Sequence, residues 1–448
     1  MVNDDKSPSD AATGDKAAER EARRAERKAV RQAERQAERE AQKAERRAAR
    51  EAAKAAGIKG RDAGQAATAT DKPRRDTAAM GLSGKDRPSK SQAGKTKPGR
   101  AEPATLDARP PATTPRPTHP QQDFDILIVA QGGGIDRQAA ILAASLRRNA
   151  PGFLGRLIVA EPQPEGAWQG SDPRMSAPPR AALTALGAEI RPLVAQHFGR
   201  SYPYGNKIEA LALLDPGRPF LFLDSDTLIL DEIGAQGIDF ARPSASMRRE
   251  GTWPEPPAYK QTYDSIWRSL YDRFGLEMDP SLDLSQPEEH WERFLYFNAG
   301  WFFGPDAAEF GRRFTDWAVV VRDDPGEALA CQSLDPWLDQ VVLPLVIHSL
   351  GGGRPGPELA GMDGDVTCHY RNLPLLYARA PDTALDSLEA IAALPEIAPL
   401  MQGWEPAERL VAGRAGRDRI RPMFADSPLP PFEKAIRKRL RAEDLWLV

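Results

Sequence analysis

From Phe124 onward, short uninterrupted apolar runs alternate with segments whose apolar positions recur every three or four residues. FDILIVA (124–130) is one such run, and its length and turn-like flanks predict a buried strand. RQAAILAASLRRN (137–149) has helical spacing, and RLIVAE (156–161) predicts a second strand. PPRAALTALG (178–187) predicts a helix closed by Gly187, and AEIRPLV (188–194) a third strand. NKIEALALL (206–214) predicts another helix, and PFLFLDSDTLIL (219–230) holds the strongest strand signal. Strands alternating with helices imply βαβ units and an α/β fold with a mainly parallel central sheet. After Asp231 the alternation weakens. Aromatic-rich helical patterns at 263–274 and 290–295 lead to a strand at 296–303, and 381–448 predicts short helices separated by prolines.

The first 120 residues follow different rules. AER recurs at Ala18, Ala25, Ala33, Ala37 and Ala44, among strong helix formers with Glu/Arg pairs at helical spacing. Val30 is the only large aliphatic residue in 11–56, so a coiled-coil seam has nothing to bury. Two readings stay open: a solvated, fluctuating helix, or a basic arm that touches nucleic acid or anionic lipid. Residues 57–120 turn rich in Pro, Gly, Lys and Thr, as a disordered linker does. The predicted organisation is a disordered basic tail (1–120), a catalytic-type domain (121–380) and a small C-terminal helical extension (381–448).

Charge sharpens this division. The tail holds 28 Lys and Arg against 18 Asp and Glu, a balance of +10, so the near-neutral whole (-3) conceals an acidic body of -13. Cys331 and Cys368 form no CxxC pair and allow at most one disulfide, which points to a reducing compartment rather than a disulfide framework or zinc site. No apolar run approaches the roughly 18 residues of a membrane span, and MVNDDKSPSD lacks the apolar stretch of a secretory signal. The expected location is cytoplasmic.

Candidate chemistry concentrates where the apolar runs end. Phe220 to Leu223 deliver Asp224 and Asp226 to the end of a buried strand, where open α/β sheets bind ligands. Two carboxylates one residue apart can share a hard divalent cation, Mn²⁺ or Mg²⁺, that also bridges nucleotide phosphates; capping or turn duty is the alternative. Gly132 and Gly133, after the first strand, would let a nucleotide approach the backbone or would simply form the turn. Lys207 would reach a phosphate or lie at the surface. His348 reads as a core residue, and the 351–353 glycines as a loop. Trp253, Tyr259, Tyr263, Trp267 and Tyr271 would either pack in a core or stack on an acceptor sugar.

Asp224-Ser225-Asp226 after a buried strand resembles the DxD motif of GT-A glycosyltransferases. Tyr296-Phe297-Asn298-Ala299-Gly300 resembles the FNAG segment of the family-8 and glycogenin-like enzymes, and Asp339-Gln340 their DQ pair, in the family's order. The likeness spans roughly residues 124–377. It implies a Rossmann-like GT-A fold and a glycosyltransferase that moves a hexosyl group from a nucleoside-diphosphate sugar to a saccharide, lipid-linked or protein acceptor, with retention if the likeness extends to mechanism. It further implies that Asp224, Asp226 and His369 bind the metal, with Asp224 also serving the ribose. Asn298, Asp339 and Gln340 would line the donor-sugar pocket. Where the family has HxxGxxKPW, this chain reads His369-Tyr370-Arg371-Asn372-Leu373-Pro374. The family's lysine is missing, and Arg371 is its close substitute for the nucleotide's diphosphate. No nucleophile is assigned.

Two rivals remain: a non-catalytic scaffold with a degenerate transferase domain, and a sugar-1-phosphate nucleotidyltransferase. The latter would need a Gly-rich loop with Arg and Lys, whereas 131–137 has one Arg and no Lys. The run FEKAIRKRLR (432–441) predicts a basic helix with Phe432, Ile436 and Leu440 along one side. That stripe would pack on the domain or rest on the anionic inner face of a membrane. No specific nucleic-acid partner is predicted.

Overall fold

The computed structural model describes residues 119–248, 253–256, 261–425, 429–430 and 433–447. The predicted tail helix and nearly all of the linker lie outside the described residues, as do Tyr259 and Phe432. The first half follows the predicted alternation: β1 (Asp125–Val129), α1 (Ile135–Asn149), β2 (Leu157–Pro162), α2 (Ala177–Ala185) and β3 (Glu189–Leu193). The predicted 206–214 helix is one α-turn, α3 (Asn206–Glu209), that tightens into a 3₁₀ turn over Ala210–Leu213.

The strongest apolar run does not form one strand. β4 (Phe220–Leu223) stops at Asp224, and β5 (Thr227–Ile229) leaves the main sheet. Two backbone ties hold the break: Asp224 N–H donates to Gly300 O at 2.8 Å, and Ser225 Oγ donates to Val129 O. β6 (Ser244–Ser246), α4 (Tyr263–Arg273), β7 (Asn298–Gly304), α5 (Ala307–Asp323) and α6 (Leu338–Ser349) follow. The predicted 290–295 helix is only a 3₁₀ turn at Trp291–Arg293.

The main sheet runs β3-β2-β1-β4-β7-β6; the first four strands are parallel, and β7 and β6 pair antiparallel. Alternate residues of β1 serve opposite faces, Ile126 and Ile128 one core and Leu127 the other, because strand side chains alternate. A second, two-stranded sheet pairs β5 with β8 (Thr367–His369).

Helices α7 (Leu373–Arg379), α8 (Asp382–Ala392) and α9 (Glu433–Ala442) join the core that holds Ile126 and α1. Leu385, Leu388, Ile436 and Leu440 are all buried in it, so the C-terminal segment completes the main domain's core. This revises one open expectation. With Ile436 and Leu440 covered, the α9 stripe is not available to enter a bilayer. Among the described residues no helix is long and apolar enough to cross a membrane, and Cys331 and Cys368 are both free. Trp253, Trp267 and Tyr271 are buried in the second core, Trp253 against Trp267, Trp267 against Tyr296 and Tyr271 against His348, which makes them packing residues rather than a sugar platform.

Candidate active site

The break after β4 carries the site. Leu223 pairs with Trp301 in antiparallel register, and the next backbone bond, Asp224 to Gly300, sets the DSD segment beside FNAG. Beyond the break, Thr227 pairs with His369, and Tyr370 N–H donates to Asp226 O at 3.0 Å. The small sheet thus brings His369 across about 140 residues of chain to the acidic pair. His369 Nε2 lies 3.1 Å from Asp226 Oδ1 and 3.8 Å from Asp224 Oδ2, and ligand atoms of all three fall within 4.8 Å of one another. Two ligands at right angles and about 2.1 Å from one ion stand about 3 Å apart, so this spacing fits a shared divalent ion. One imidazole with two carboxylates suits Mn²⁺ better than the all-oxygen preference of Mg²⁺. Burial opposes charge on Asp226, but His369, with Arg371 and Lys207 behind it, outweighs burial and holds the carboxyl below the usual range. A ligand that stays ionised is what a metal site needs.

Lys207 takes a different place from the one its sequence position suggested. It is buried, with Nζ 2.8 Å from Asp224 Oδ1, 3.4 Å from Asp339 Oδ2 and 3.3 Å from Ala299 O. Three partners engage its three donors, so it holds Asp224 and Asp339 from the wall of the cavity beside the acidic pair. Burial works against the ammonium, yet the two aspartates outweigh it and raise its pKa. Asp339 lies behind it, buried, and Tyr202 Oη donates to Asp339 Oδ1 at 2.7 Å. With both oxygens engaged, Asp339 supports Lys207 instead of facing a sugar. Burial pushes its carboxyl upward, and Lys207 and Tyr202 offset part of that. Tyr202 was not singled out in the sequence; its nearness to Lys207 was the only signal.

Asn298 and Gln340 keep donors in hand. Asn298 Oδ1 accepts from Gly300 N–H at 2.8 Å, and Gln340 Oε1 accepts from Tyr296 Oη at 2.7 Å. Each amide group is thereby oriented with its NH₂ left to donate. Gly132 and Gly133 shape the strand-to-helix turn. Gly132 N–H donates to Pro173 O at 2.9 Å, and a Cβ there would stand 2.9 Å from Arg174 O. Gly133 has φ +91°, a region where side chains are strained. Neither glycine lines the cavity that opens beside the acidic pair. That cavity has a volume of about 350 Å³, and its walls include Gln131, Ile135, Gln138, Tyr204, Asn206 and Asp224. Tyr204 is exposed there, and Gln131 is fixed by Asn206 Nδ2 at 2.9 Å. Asp224, Asp226 and Lys207, which also line it, were singled out in the sequence, whereas Gln138 and Tyr204 were not, since nothing local distinguishes them. Arg371 lies two residues past His369 at φ +67°, with its guanidinium 3.7 Å from Glu433.

A mainly parallel sheet with an antiparallel β7, and paired acids where β4 ends, defines a GT-A fold. Residues 126–351 match the family model described as the Rhodobacterales glycosyltransferase domain. The chain belongs to that family and is a glycosyltransferase. Among solved structures, the galactosyltransferase LgtC in complex with donor and acceptor sugar analogs is 16% identical, with 61% of this chain and 96% of that chain covered and a TM-score of 0.36. An active-site mutant of LgtC is 15% identical, with 54% and 78% covered and a TM-score of 0.31. No curated protein matches the chain.

Proposed function

We propose that this glycosyltransferase is metal-dependent and moves a hexosyl group from a nucleoside-diphosphate sugar to a saccharide, lipid-linked or protein acceptor. The observation that carries this reading is the convergence of Asp224, Asp226 and His369 at metal-ligand spacing beside a 350 Å³ cavity. Bound there, Mn²⁺ would act as a Lewis acid toward the departing diphosphate. The protein's own groups do the rest. The cavity accepts the nucleoside, with the exposed Tyr204 ring and the Gln131, Gln138 and Asn206 amides as its recognition groups. Lys207 holds Asp224 in place through a partly buried ion pair, so that carboxylate is set before substrate arrives. The amides of Asn298 and Gln340 are fixed to donate to sugar hydroxyls, and Arg371 adds positive charge on the His369 side.

The test is calorimetric binding of a panel of nucleoside-diphosphate sugars to the full-length chain, with Mn²⁺ and with chelator. At least one should bind with Mn²⁺ and lose most of its affinity without it. Failure of every donor to bind in both conditions would overturn the reading and favour a scaffold.

A further inference from the structure

The C-terminal helix α9 begins with a buried carboxylate. Glu433 is 5% exposed, and its Oε2 lies 3.3 Å from Arg379 Nη1 and 3.7 Å from Arg371 Nη1. Arg437, one turn along the same helix, closes on the other oxygen. Three guanidinium groups thus surround one carboxylate. A helix that required only docking would use the apolar contacts that Ile436 and Leu440 already make.

Two of these arginines belong to the segment that carries His369. Arg371 follows it by two residues and adopts the left-handed backbone region, φ +67°, which is costly for a side chain other than glycine. Arg379 ends α7 and lines a 220 Å³ pocket together with His369, Cys368 and Arg248. Lys207 is committed to Asp224 and Asp339. Arginine stays charged at any working pH, but it has a long side chain that loses rotamer freedom when fixed. Anchoring it in advance removes that cost from ligand binding.

We propose that Glu433 is a positioning residue of the transferase site, holding Arg371 and Arg379 as a cationic pair beside the metal ligands to receive the diphosphate. This rests on the nucleotide-sugar reading above. The matched family domain ends at residue 351, so the pair and its anchor come wholly from the segment beyond it. The C-terminal helix then acts as part of the site and not only as a cover for the core.

The experiment is calorimetry on the full-length chain with Mn²⁺ and each of ADP, GDP, UDP and CDP, beside the matching monophosphates. Glu433→Gln should weaken the best diphosphate about tenfold and its monophosphate by less than threefold, while Mn²⁺ affinity without nucleotide stays within twofold. Arg371→Ala should weaken the diphosphate similarly. The double variant should lose less than the sum of the two single losses, because Glu433 acts through Arg371 as well as Arg379, and Glu433→Asp should restore part of the loss. A diphosphate affinity within twofold of wild type in a folded Glu433→Gln, or additive losses in the double variant, overturns the positioning role alone. If Glu433→Gln does not fold, unchanged diphosphate affinity in Arg371→Ala, a partly exposed position, overturns it instead. No nucleoside-diphosphate binding by the wild-type chain would sink the nucleotide-sugar reading and this inference with it.

Discussion

Gly300 gives His369 its place: a Cβ on Gly300 would stand 2.2 Å from His369 Nδ1 and 2.9 Å from Asn298 Oδ1. No side chain fits in that space, so the FNAG glycine is bound to the position of the imidazole across the β7 backbone. Gly300→Ala should therefore displace His369 and raise the Mn²⁺ concentration for half-saturation at least fivefold. Overpacking of this kind costs about 1–3 kcal/mol, so a modest loss of stability should accompany it. Manganese titration followed by electron paramagnetic resonance reads the first effect; unchanged affinity would remove His369 from the ligand set.

Asp226 and His369 separate metal binding from folding. Asp226→Ala should abolish Mn²⁺-dependent donor binding, a loss of at least a hundredfold, while the melting temperature moves by only a few degrees. His369→Ala should raise the Mn²⁺ requirement with a similarly small thermal shift. A large thermal shift with an unchanged metal requirement would make His369 a structural residue.

Lys207→Met should be severely destabilising, by about 3–5 kcal/mol, because it strips the buried Asp339 and the partly buried Asp224 of their shared cation. The pH dependence has a defined sign. Burial already raises the Asp339 carboxyl, and without Lys207 it rises further. A group whose folded pKa lies above its unfolded value contributes stability at low pH and loses it as pH climbs through the folded value. The deficit of the variant, read by urea unfolding across a pH series, should therefore shrink as pH is lowered through the folded Asp339 value. A deficit that does not change with pH would mean that Asp339 remains ionised in the variant.

Asp125 predicts the opposite slope. It is buried at the start of β1, where burial raises its pKa but Arg156 and Arg218 outweigh burial and lower it. Arg156 Nε donates to Asp125 Oδ1 at 3.0 Å, and Arg218 Nε lies 3.3 Å from Oδ2. With a folded pKa below the unfolded value of 3.8, its contribution is full above that value and is lost as pH falls through the folded one. Asp125→Asn should cost about 1.5–3 kcal/mol at pH 7, the range for hydrogen bonds to charged groups. The gap from wild type should close as pH falls below 3.8 and through the folded value.

The sequence by itself determined the elements whose signal is local. Apolar runs and helical spacing placed β1, α1, β2, α2 and β3 within a residue or two, because strand and helix periodicities are written in neighbouring residues. It also set Asp224 and Asp226 at the end of a buried run. Only the tertiary structure broke that run into β4 and β5, since the break depends on ties to Val129 and Gly300, distant in sequence. Family likeness named His369, but its closeness to Asp226 comes from the pairing of Thr227 with His369. Lys207 read as a free cation because nothing nearby in sequence announces Asp339, 132 positions on, as its partner. Glu433 read as one charge in a basic helix, and folding buried it among three arginines. Charges acquire their roles from burial and partners, and both are set by contacts between residues far apart in the chain.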